Sequence, residues 1–493
     1  MTSVPRADWS AARLATLIVA TTVIRGWIAS VLPLSGDEAY YYDCSRHPDW
    51  CYFDQPGLVI WAIAPFRTLL GDCALAVRMP ALLAGLAVGL AVWRIMSQLG
   101  GSRREVAIAW GLLHATPLFF FGSGYASTDV AMIACYGAAT AAAISIAGGD
   151  RRAWWAFGAA VGIGFLAKFP IVLVLGTLIP LLGSGVFRRD LRSATPWLAA
   201  LLSVVLSLPV WIWGLQHDWA HLRFQFGRVP DGFSPLDALG FVAASIASMT
   251  PTIGIAVCIA WFVSRRSHSG PGWSVMRAAI ATPIVFWTVL ALRGHVGAHW
   301  GAPGMLYGIV PVVLVAFPRR RALIRVGIAT GAVLIPLILS VPAFPEVWID
   351  VERQIRQSQG RPQKLELANL FGEHELAAEL ARRLRPGEFA ASERYTDLHL
   401  ASFLSEGRLP LLLFRGREHG LASLYWHRPE DLLGRDLLAF SKRAEIADQL
   451  RPIFDSVEAE GDLVVELQGV VLRRWHFFRC RGLRDPRAGF TRL

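Results

Sequence analysis

Apolar runs of about the length that crosses a lipid bilayer follow one another through the first 342 residues of this 493-residue chain. A transmembrane helix needs about 20 apolar residues. Hydrophobic residues make up 54% of the chain and charged residues 17%, a balance that neither soluble nor disordered proteins of this size have. The sequence therefore predicts a polytopic α-helical membrane protein. The runs lie near residues 12–33, 74–99, 105–122, 127–147, 195–213, 238–263, 278–292, 303–317 and 326–342.

A longer apolar stretch at 155–187 is flanked by Arg151–Arg152 and by Arg188–Arg189. One crossing would place the two arginine pairs on opposite sides of the membrane. Two short crossings that reverse at Lys168-Phe169-Pro170 place both pairs on the same side. Because the second arrangement also accounts for a lysine and a proline in the middle of an apolar run, we predict two crossings here and about eleven spans in all.

Arginine clusters alternate along the chain with loops that are rich in acids, His and Trp. Since Lys and Arg favour the cytoplasmic side, this pattern predicts a cytoplasmic N-terminus and places the loops 33–73, 122–127, 214–237 and 293–302 outside. The net charge of +11 comes from short clusters and not from one basic face, so we predict no nucleic-acid partner. The composition favours a bacterial inner membrane with a periplasmic outer face. The clusters are Arg103–Arg104, Arg151–Arg152, Arg188–Arg189–Arg192, Arg265–Arg266 and Arg319–Arg320–Arg321–Arg325.

Residues 343–493 differ in composition from residues 1–342, because they are rich in charged residues and contain no apolar run long enough to span a membrane. The segment AELARRLRPGEFAAS is typical of a helix that Pro-Gly stops, while LPLLLFRG and DLVVELQGVVLRRWHFF are typical of buried strands. We predict a soluble α/β domain at 343–493 on the periplasmic side, after a transmembrane domain at 1–342. The apolar stretch 56–70 in the first outer loop is too short to span and suits an interfacial helix.

The first outer loop, 33–73, holds the densest cluster of polar residues. Asp37 and Glu38 directly follow the first span, and a carboxylate at that apolar boundary is suited to act as a general base. The alternative is that these acids begin an interfacial helix, and both roles can coexist. Cys44 and Cys51, in the same loop, are compatible with a periplasmic disulfide or with free thiols.

Lys168 is a cation in the middle of the apolar stretch 155–187, and this position is unfavourable unless the ammonium is paired or faces a polar cavity. The alternative is a lysine that extends to the interface from a helix end. The predicted topology places Lys168 and Asp129 at the same outer face as Asp37. Taken alone, Asp129 is also compatible with a role as a helix cap. His295 and His299 are four residues apart, but the glycines around them favour a loop, so we prefer phosphate or sugar contacts to a metal site. We predict no metal and no other cofactor.

Seven short motifs, taken in order over about residues 30–310, resemble the membrane glycosyltransferases of the GT-C class. The similarity is to bacterial enzymes of the family 39 and 83 type, which are relatives of protein mannosyltransferases and of the lipid A aminoarabinose transferase. The motif with acids in the first loop is fairly specific, and the others support it together. The motifs are Asp37-Glu38-Ala39-Tyr40-Tyr41, Tyr52-Phe53-Asp54-Gln55-Pro56-Gly57, Ala76–Pro80, Ser127–Asp129, Leu166–Phe169, Gln216–Trp219 and His299–Pro303.

The resemblance implies a polyprenyl-phosphate-linked sugar donor and an acceptor reached from the outer face, either lipid A, another glycolipid, a glycan or a protein. Asp37 matches the acidic residue beside the acceptor, the catalytic base, and Glu38 is its neighbour. Gln55 stands where many members carry His or Lys, so a charge that would meet the phosphate is missing there. The residues that the resemblance assigns to the donor phosphate or sugar are Lys168, Arg78, Asp54, Asp129, Tyr40 and His299.

These residues predict an inverting sugar transfer in which acids and cations far apart in the sequence converge in one pocket at the outer rim of the membrane. The phosphate is a good leaving group, so positioning and charge stabilisation suffice. The alternative is a polytopic transporter or lipid flippase. Such proteins usually show two related halves, and the sequence shows no internal repeat.

Overall fold

The computed structural model describes residues 10–227, 232–316, 321–359, 365–415 and 419–490. Arg319 and Arg320 of the last predicted cytoplasmic cluster lie outside these ranges. The α-helices are α1 (Ala11–Val31), α2 (Gly36–Cys44), α3 (Leu58–Leu70), α4 (Ala74–Gln98), α5 (Arg103–His114), α6 (Pro117–Gly122), α7 (Thr128–Ala147), α8 (Ala153–Ala167), α9 (Gly185–Leu191), α10 (Ala194–Leu206), α11 (Leu208–Gln216), α12 (Ala220–Gly227), α13 (Pro235–Ser248), α14 (Pro251–Ser267), α15 (Pro271–Ala291), α16 (Ala302–Tyr307), α17 (Ile309–Pro311), α18 (Arg321–Ala343), α19 (Pro345–Ser358), α20 (Glu373–Arg383), α21 (Tyr395–Leu404), α22 (Pro429–Leu432) and α23 (Ile446–Leu450).

Shorter helical turns of other types connect several of these helices. The π-helical turn is Val312–Ala316, and the 3-10 helices are Phe169–Leu181, Ala298–Gly301, Leu367–Leu370, Leu421–Tyr425, Arg451–Ile453 and Pro486–Ala488. Five strands form one sheet in the order β2-β1-β3-β5-β4. Strands β1, β2 and β3 are parallel, while β5 pairs antiparallel with β3 and β4. The strands are β1 (Phe389–Ser392), β2 (Leu411–Leu413), β3 (Leu437–Ser441), β4 (Phe454–Leu467) and β5 (Val470–Leu483).

Six helices in the described residues are long and apolar enough to cross a membrane, and the number rises to nine if each of three bent helix pairs crosses as one span. All eleven predicted segments contain helix. The prediction of a helical protein with many apolar spans is therefore confirmed. The count of eleven and the orientation of the termini stay predictions, because the length and composition of a helix do not determine its direction across a membrane.

The helix is interrupted within the 155–187 stretch at Lys168, as the sequence predicts. Helix α8 ends at Ala167, Lys168 has an extended backbone with φ −161° and ψ 135°, and a 3-10 helix begins at Phe169. Pro170 has no backbone N–H, so it cannot donate the hydrogen bond to the Leu166 carbonyl that would continue α8. The lysine therefore sits at a break between two apolar helical segments.

The chain divides into two compact units, and the first comprises residues 1–31, 50–62 and 78–336. Its core is formed by apolar side chains of helices packed through small residues. A Cβ atom placed on Gly158 of α8 would lie 2.2 Å from the backbone oxygen of Ala199 in α10. Only glycine permits this approach, and close contact between backbones is a common way for helices to associate in a membrane.

The second unit comprises residues 32–49, 63–77 and 337–493. Apolar side chains of its strands, which include Leu437, Phe454 and Phe478, contribute to one hydrophobic core. The predicted helix around 378–392 is α20, which ends before Pro386-Gly387, and the predicted strands are β2 and the β4–β5 hairpin. Two segments of the predicted first outer loop belong to this unit together with the C-terminal residues, a grouping that the sequence did not predict. The division into domains at 342 stays a prediction.

Candidate active site

Helix α2 carries the first-loop acids, and its N-terminus is fixed by a capping box. The Ser35 backbone N–H donates to Glu38 Oε2 at 3.0 Å, and the Glu38 backbone N–H donates to Ser35 Oγ at 3.3 Å. Glu38 is fully buried. These reciprocal bonds satisfy backbone donors that a helix start otherwise leaves without partners. Glu38 therefore acts as part of a helix cap, which was the alternative expected from the sequence. Its catalytic role stays a prediction.

Replacing Ser35 with alanine is expected to lower the melting temperature of the purified protein by a few degrees. Loss of a serine cap costs about 1 kcal/mol, which corresponds to roughly 2–4 °C for a unit of this size. Thermal unfolding followed by intrinsic fluorescence measures the effect. Ser35→Thr is the matched control, because threonine keeps the oxygen that accepts from Glu38. Equal melting temperatures for the alanine variant and the wild-type protein would contradict this account of the cap.

Asp37, in the first turn of α2, is exposed, and its carboxylate oxygen Oδ1 accepts a hydrogen bond from Tyr395 Oη at 2.5 Å. Tyr395 is the first residue of α21 and lies in the same compact unit. Burial raises the pKa of the neighbouring Tyr42 phenol, so that side chain stays protonated and is a poor base. The Asp37 carboxylate is exposed, whereas that of Glu38 is fully buried.

Asp43, at the other end of α2, is a buried acid that the sequence analysis did not select. Its oxygen Oδ2 is 2.7 Å from His399 Nδ1, and its Oδ1 accepts from Ser402 Oγ at 2.8 Å. Asp43 is 1% exposed and His399 fully buried. A buried carboxylate requires such partners because its desolvation is costly. No local signal in the sequence connects Asp43 with residues more than 350 positions away.

Tyr40 lies between these two acids on α2 and is also buried. Its hydroxyl accepts a hydrogen bond from the Ala422 backbone N–H at 3.1 Å, and its ring contacts those of Tyr395 and His399. These contacts give Tyr40 a structural role within its unit. The predicted contact of Tyr40 with the donor stays a prediction.

The first unit brings together three of the predicted donor-binding residues. Lys168 Nζ is 2.8 Å from both carboxylate oxygens of Asp129, which stands in the first turn of α7. The side chains are 26% and 22% exposed respectively, so the pair is only partly shielded. His299 is close enough to interact electrostatically with both groups. The lysine therefore has the partner that its position in an apolar stretch requires.

Arg78 and Asp54 also lie in the first unit, and both are buried. Arg78 Nη1 donates to the Ala29 backbone oxygen at 2.9 Å, which ties α4 to the end of α1. The backbone oxygen of Asp54 accepts from Gln225 Nε2 at 2.8 Å. These contacts hold the backbone around both residues, and the predicted roles of the two side chains toward the donor stay predictions.

The predicted site residues are thus divided between the two units. Asp37, Glu38 and Tyr40 belong to the second, and their predicted convergence with the residues of the first stays a prediction. Cys44 and Cys51 are both buried, and the disulfide considered for them stays a prediction. In the part of the chain that the structure describes, no group of three or more His, Cys, Asp and Glu side chains is arranged to hold a metal ion.

Residues 54–213, about a third of the chain, match the family model of dolichyl-phosphate-mannose-protein mannosyltransferases. The structure is similar to crystal structures of ArnT from Cupriavidus metallidurans, with a TM-score of 0.67 for the apo state and 0.68 for the state bound to undecaprenyl phosphate. Each similarity covers 95% of this chain and 98% of ArnT, at 17% sequence identity. The resemblance to the GT-C glycosyltransferases is confirmed.

Two curated relatives support the same resemblance at the level of sequence. The chain is 24% identical over 334 residues to the lipid A galacturonosyltransferase RgtD of Rhizobium johnstonii, covering 63% of this chain and 66% of that protein. It is 30% identical over 223 residues to the undecaprenyl phosphate-alpha-4-amino-4-deoxy-L-arabinose arabinosyl transferase 1 of Sodalis glossinidius, covering 39% of each. The chain thus spans just under two thirds of the first GT-C relative and about two fifths of the second.

Proposed function

We propose that this protein is a membrane glycosyltransferase that moves a sugar from a polyprenyl-phosphate-linked donor to a hydroxyl or phosphate of lipid A. Other glycolipids, glycans and proteins are the alternative acceptors. The sugar is a hexose or a pentose, because one relative is named for galacturonic acid and the other for an aminoarabinose. We further propose that the reaction takes place at the periplasmic face of a bacterial inner membrane.

The observation that carries this proposal is the Lys168–Asp129 pair. Both residues lie within the 54–213 segment that matches the family model of dolichyl-phosphate-mannose-protein mannosyltransferases. An ammonium held by a carboxylate at a break between apolar helices is well placed to meet a phosphate at the edge of a bilayer, since cations within apolar segments are costly and usually functional. Arg78 and His299 are the other cationic side chains proposed to meet the donor phosphate.

The proposed reaction proceeds with inversion at the anomeric carbon. Asp37 accepts the proton of the acceptor hydroxyl, whose oxygen attacks the anomeric carbon of the donor sugar. The bond between that carbon and the phosphate oxygen breaks, and the electron pair leaves with the polyprenyl phosphate. Lys168 and Arg78 offset the negative charge that develops on the leaving phosphate. The chain's own contribution is therefore a base for the acceptor and cations for the leaving group.

Proteoliposomes that contain the full-length protein test this proposal directly. They would be supplied with lipid A and with undecaprenyl-phosphate-linked galacturonic acid or 4-amino-4-deoxy-L-arabinose. We expect mass spectrometry to show lipid A that is heavier by one sugar residue, together with released undecaprenyl phosphate. Liposomes without protein, and liposomes with the Asp37→Asn variant, are the controls. Absence of any transferred sugar to lipid A, with envelope glycans unchanged in cells that lack the protein, would contradict the proposal.

A further inference from the structure

Helix α21, in the C-terminal residues where the sequence analysis found no functional motif, packs directly along α2. At the beginning of the two helices, a Cβ atom on Gly36 would lie 2.4 Å from the Cβ of Thr396. Only glycine allows that approach. The first turn of α21 is therefore held close to the first turn of α2, which carries Asp37.

Polar side chains on one face of α21 bind the two ends of α2. Tyr395, His399 and Ser402 follow one another at spacings of four and three residues, which places them on the same side of a helix. Tyr395 Oη donates to Asp37, while His399 and Ser402 bind Asp43. Between these ends, the Ala422 backbone donates to the Tyr40 hydroxyl. These bonds fix one register of α2 against α21.

Asp37 and Asp43, both on α2, differ in whether their carboxylates require hydrogen-bond partners. Asp43 is 1% exposed, so its bonds to His399 and Ser402 compensate for the desolvation of a buried charge. Asp37 is exposed, and water would satisfy an exposed carboxylate without cost. Its 2.5 Å bond to Tyr395 is thus not required to keep a charge solvated, and its main effect is to hold the carboxylate in one orientation.

We propose that Tyr395 is a positioning residue for sugar transfer, which orients the Asp37 carboxylate toward the acceptor hydroxyl. This inference rests on the proposed function, in which Asp37 is the base. The hydroxyl of Tyr395 binds Oδ1 and restricts rotation of the carboxylate, so that the base is in position before the acceptor arrives. The C-terminal residues thereby contribute to catalysis through α21, while Tyr395 itself exchanges no proton with the substrates.

The test is Tyr395→Phe in the full-length protein, assayed in proteoliposomes with lipid A and the undecaprenyl-phosphate sugar that the wild-type protein uses. Phenylalanine keeps the ring that packs on Tyr40 and removes only the hydroxyl. We expect kcat to fall by about 10- to 100-fold, the range for a catalytic group displaced by about 1 Å, with both KM values within about twofold. A structural role would instead change the melting temperature. Wild-type kcat, or a loss of kcat that follows a loss of folded protein, would overturn the inference.

Ser402→Ala is the matched control on the same helix, because it removes a bond to Asp43 and leaves the bond to Asp37 in place. We expect it to lower the melting temperature by a few degrees, with kcat per folded molecule within about threefold of wild type. If Ser402→Ala reduces kcat as much as Tyr395→Phe does at equal stability, packing of α21 and not the Tyr395 hydroxyl is responsible, and the inference fails.

The double variant Tyr395→Phe with Asp37→Asn separates this inference from the proposed function. If Tyr395 acts through Asp37, the double variant is no slower than Asp37→Asn alone, since the two residues act as a unit. Additive losses would overturn the positioning role. Absence of transfer by the wild-type protein would overturn the proposed function and the inference with it. Wild-type transfer with an unimpaired Tyr395→Phe variant would overturn the inference alone.

Discussion

Asp37→Asn is expected to reduce the rate of sugar transfer by about a thousandfold, which lies within the range that general-base catalysis contributes. Asparagine has nearly the same shape as aspartate, and its amide oxygen can still accept the hydrogen bond from Tyr395. It cannot take a proton from the acceptor hydroxyl. We therefore expect folding and donor binding to persist while turnover is lost. Initial rates in proteoliposomes, together with donor binding by calorimetry in detergent, measure the two effects separately.

The matched control for this variant is Glu458→Gln, which neutralises an exposed acid on β4 in the same compact unit. It alters the net charge by the same amount and is expected to leave turnover within about twofold of wild type, as surface substitutions usually do. Turnover by Asp37→Asn equal to that of this control would remove Asp37 from the proposed mechanism. Loss of donor binding as well would indicate that the carboxylate is required for the donor and not as a base.

The helical architecture was predictable because membranes impose a simple rule on sequence. Each span must satisfy its own backbone and expose apolar side chains, so length and hydropathy mark it. The break at Lys168 was predictable for an equally local reason, since Pro170, two residues further on, has no backbone N–H with which to continue the helix. An ammonium in an apolar stretch requires a partner, and in the structure Lys168 binds Asp129. The sequence around Asp129 alone was equally compatible with a helix cap, so the sequence did not identify this pair.

Contacts across long stretches of sequence could not be predicted from one chain. Asp43 bonds to His399, and Asp37 bonds to Tyr395 358 positions away, through the packing of α21 on α2. No periodicity or spacing encodes such a pairing. The contact of Glu38 with the helix start, in contrast, had a visible signal. Ser35 and Glu38 form the Ser-x-x-Glu pattern of a capping box, which predicts that the Glu38 side chain binds the Ser35 backbone N–H at the start of α2.

Lys168→Met is the second large effect that we expect. It removes the ammonium that we propose to meet the donor phosphate and leaves Asp129 without its closest cation. Loss of one group that stabilises developing charge lowers turnover by about 100- to 1000-fold. The same substitution also destabilises the protein, because a partly shielded carboxylate loses its partner. Turnover of this variant alone therefore does not separate binding of phosphate from support of the fold.

The double variant Lys168→Met with Asp129→Asn makes that separation, because it removes both charges and leaves neither uncompensated. We expect it to recover most of the melting temperature that Lys168→Met loses, since isolated charges are costlier than neutral pairs. We expect its turnover to stay at least about 100-fold below wild type, because no ammonium faces the leaving phosphate. If turnover recovers together with stability, the Lys168–Asp129 pair serves only to hold the helices together, and the phosphate must be met by other cations such as Arg78.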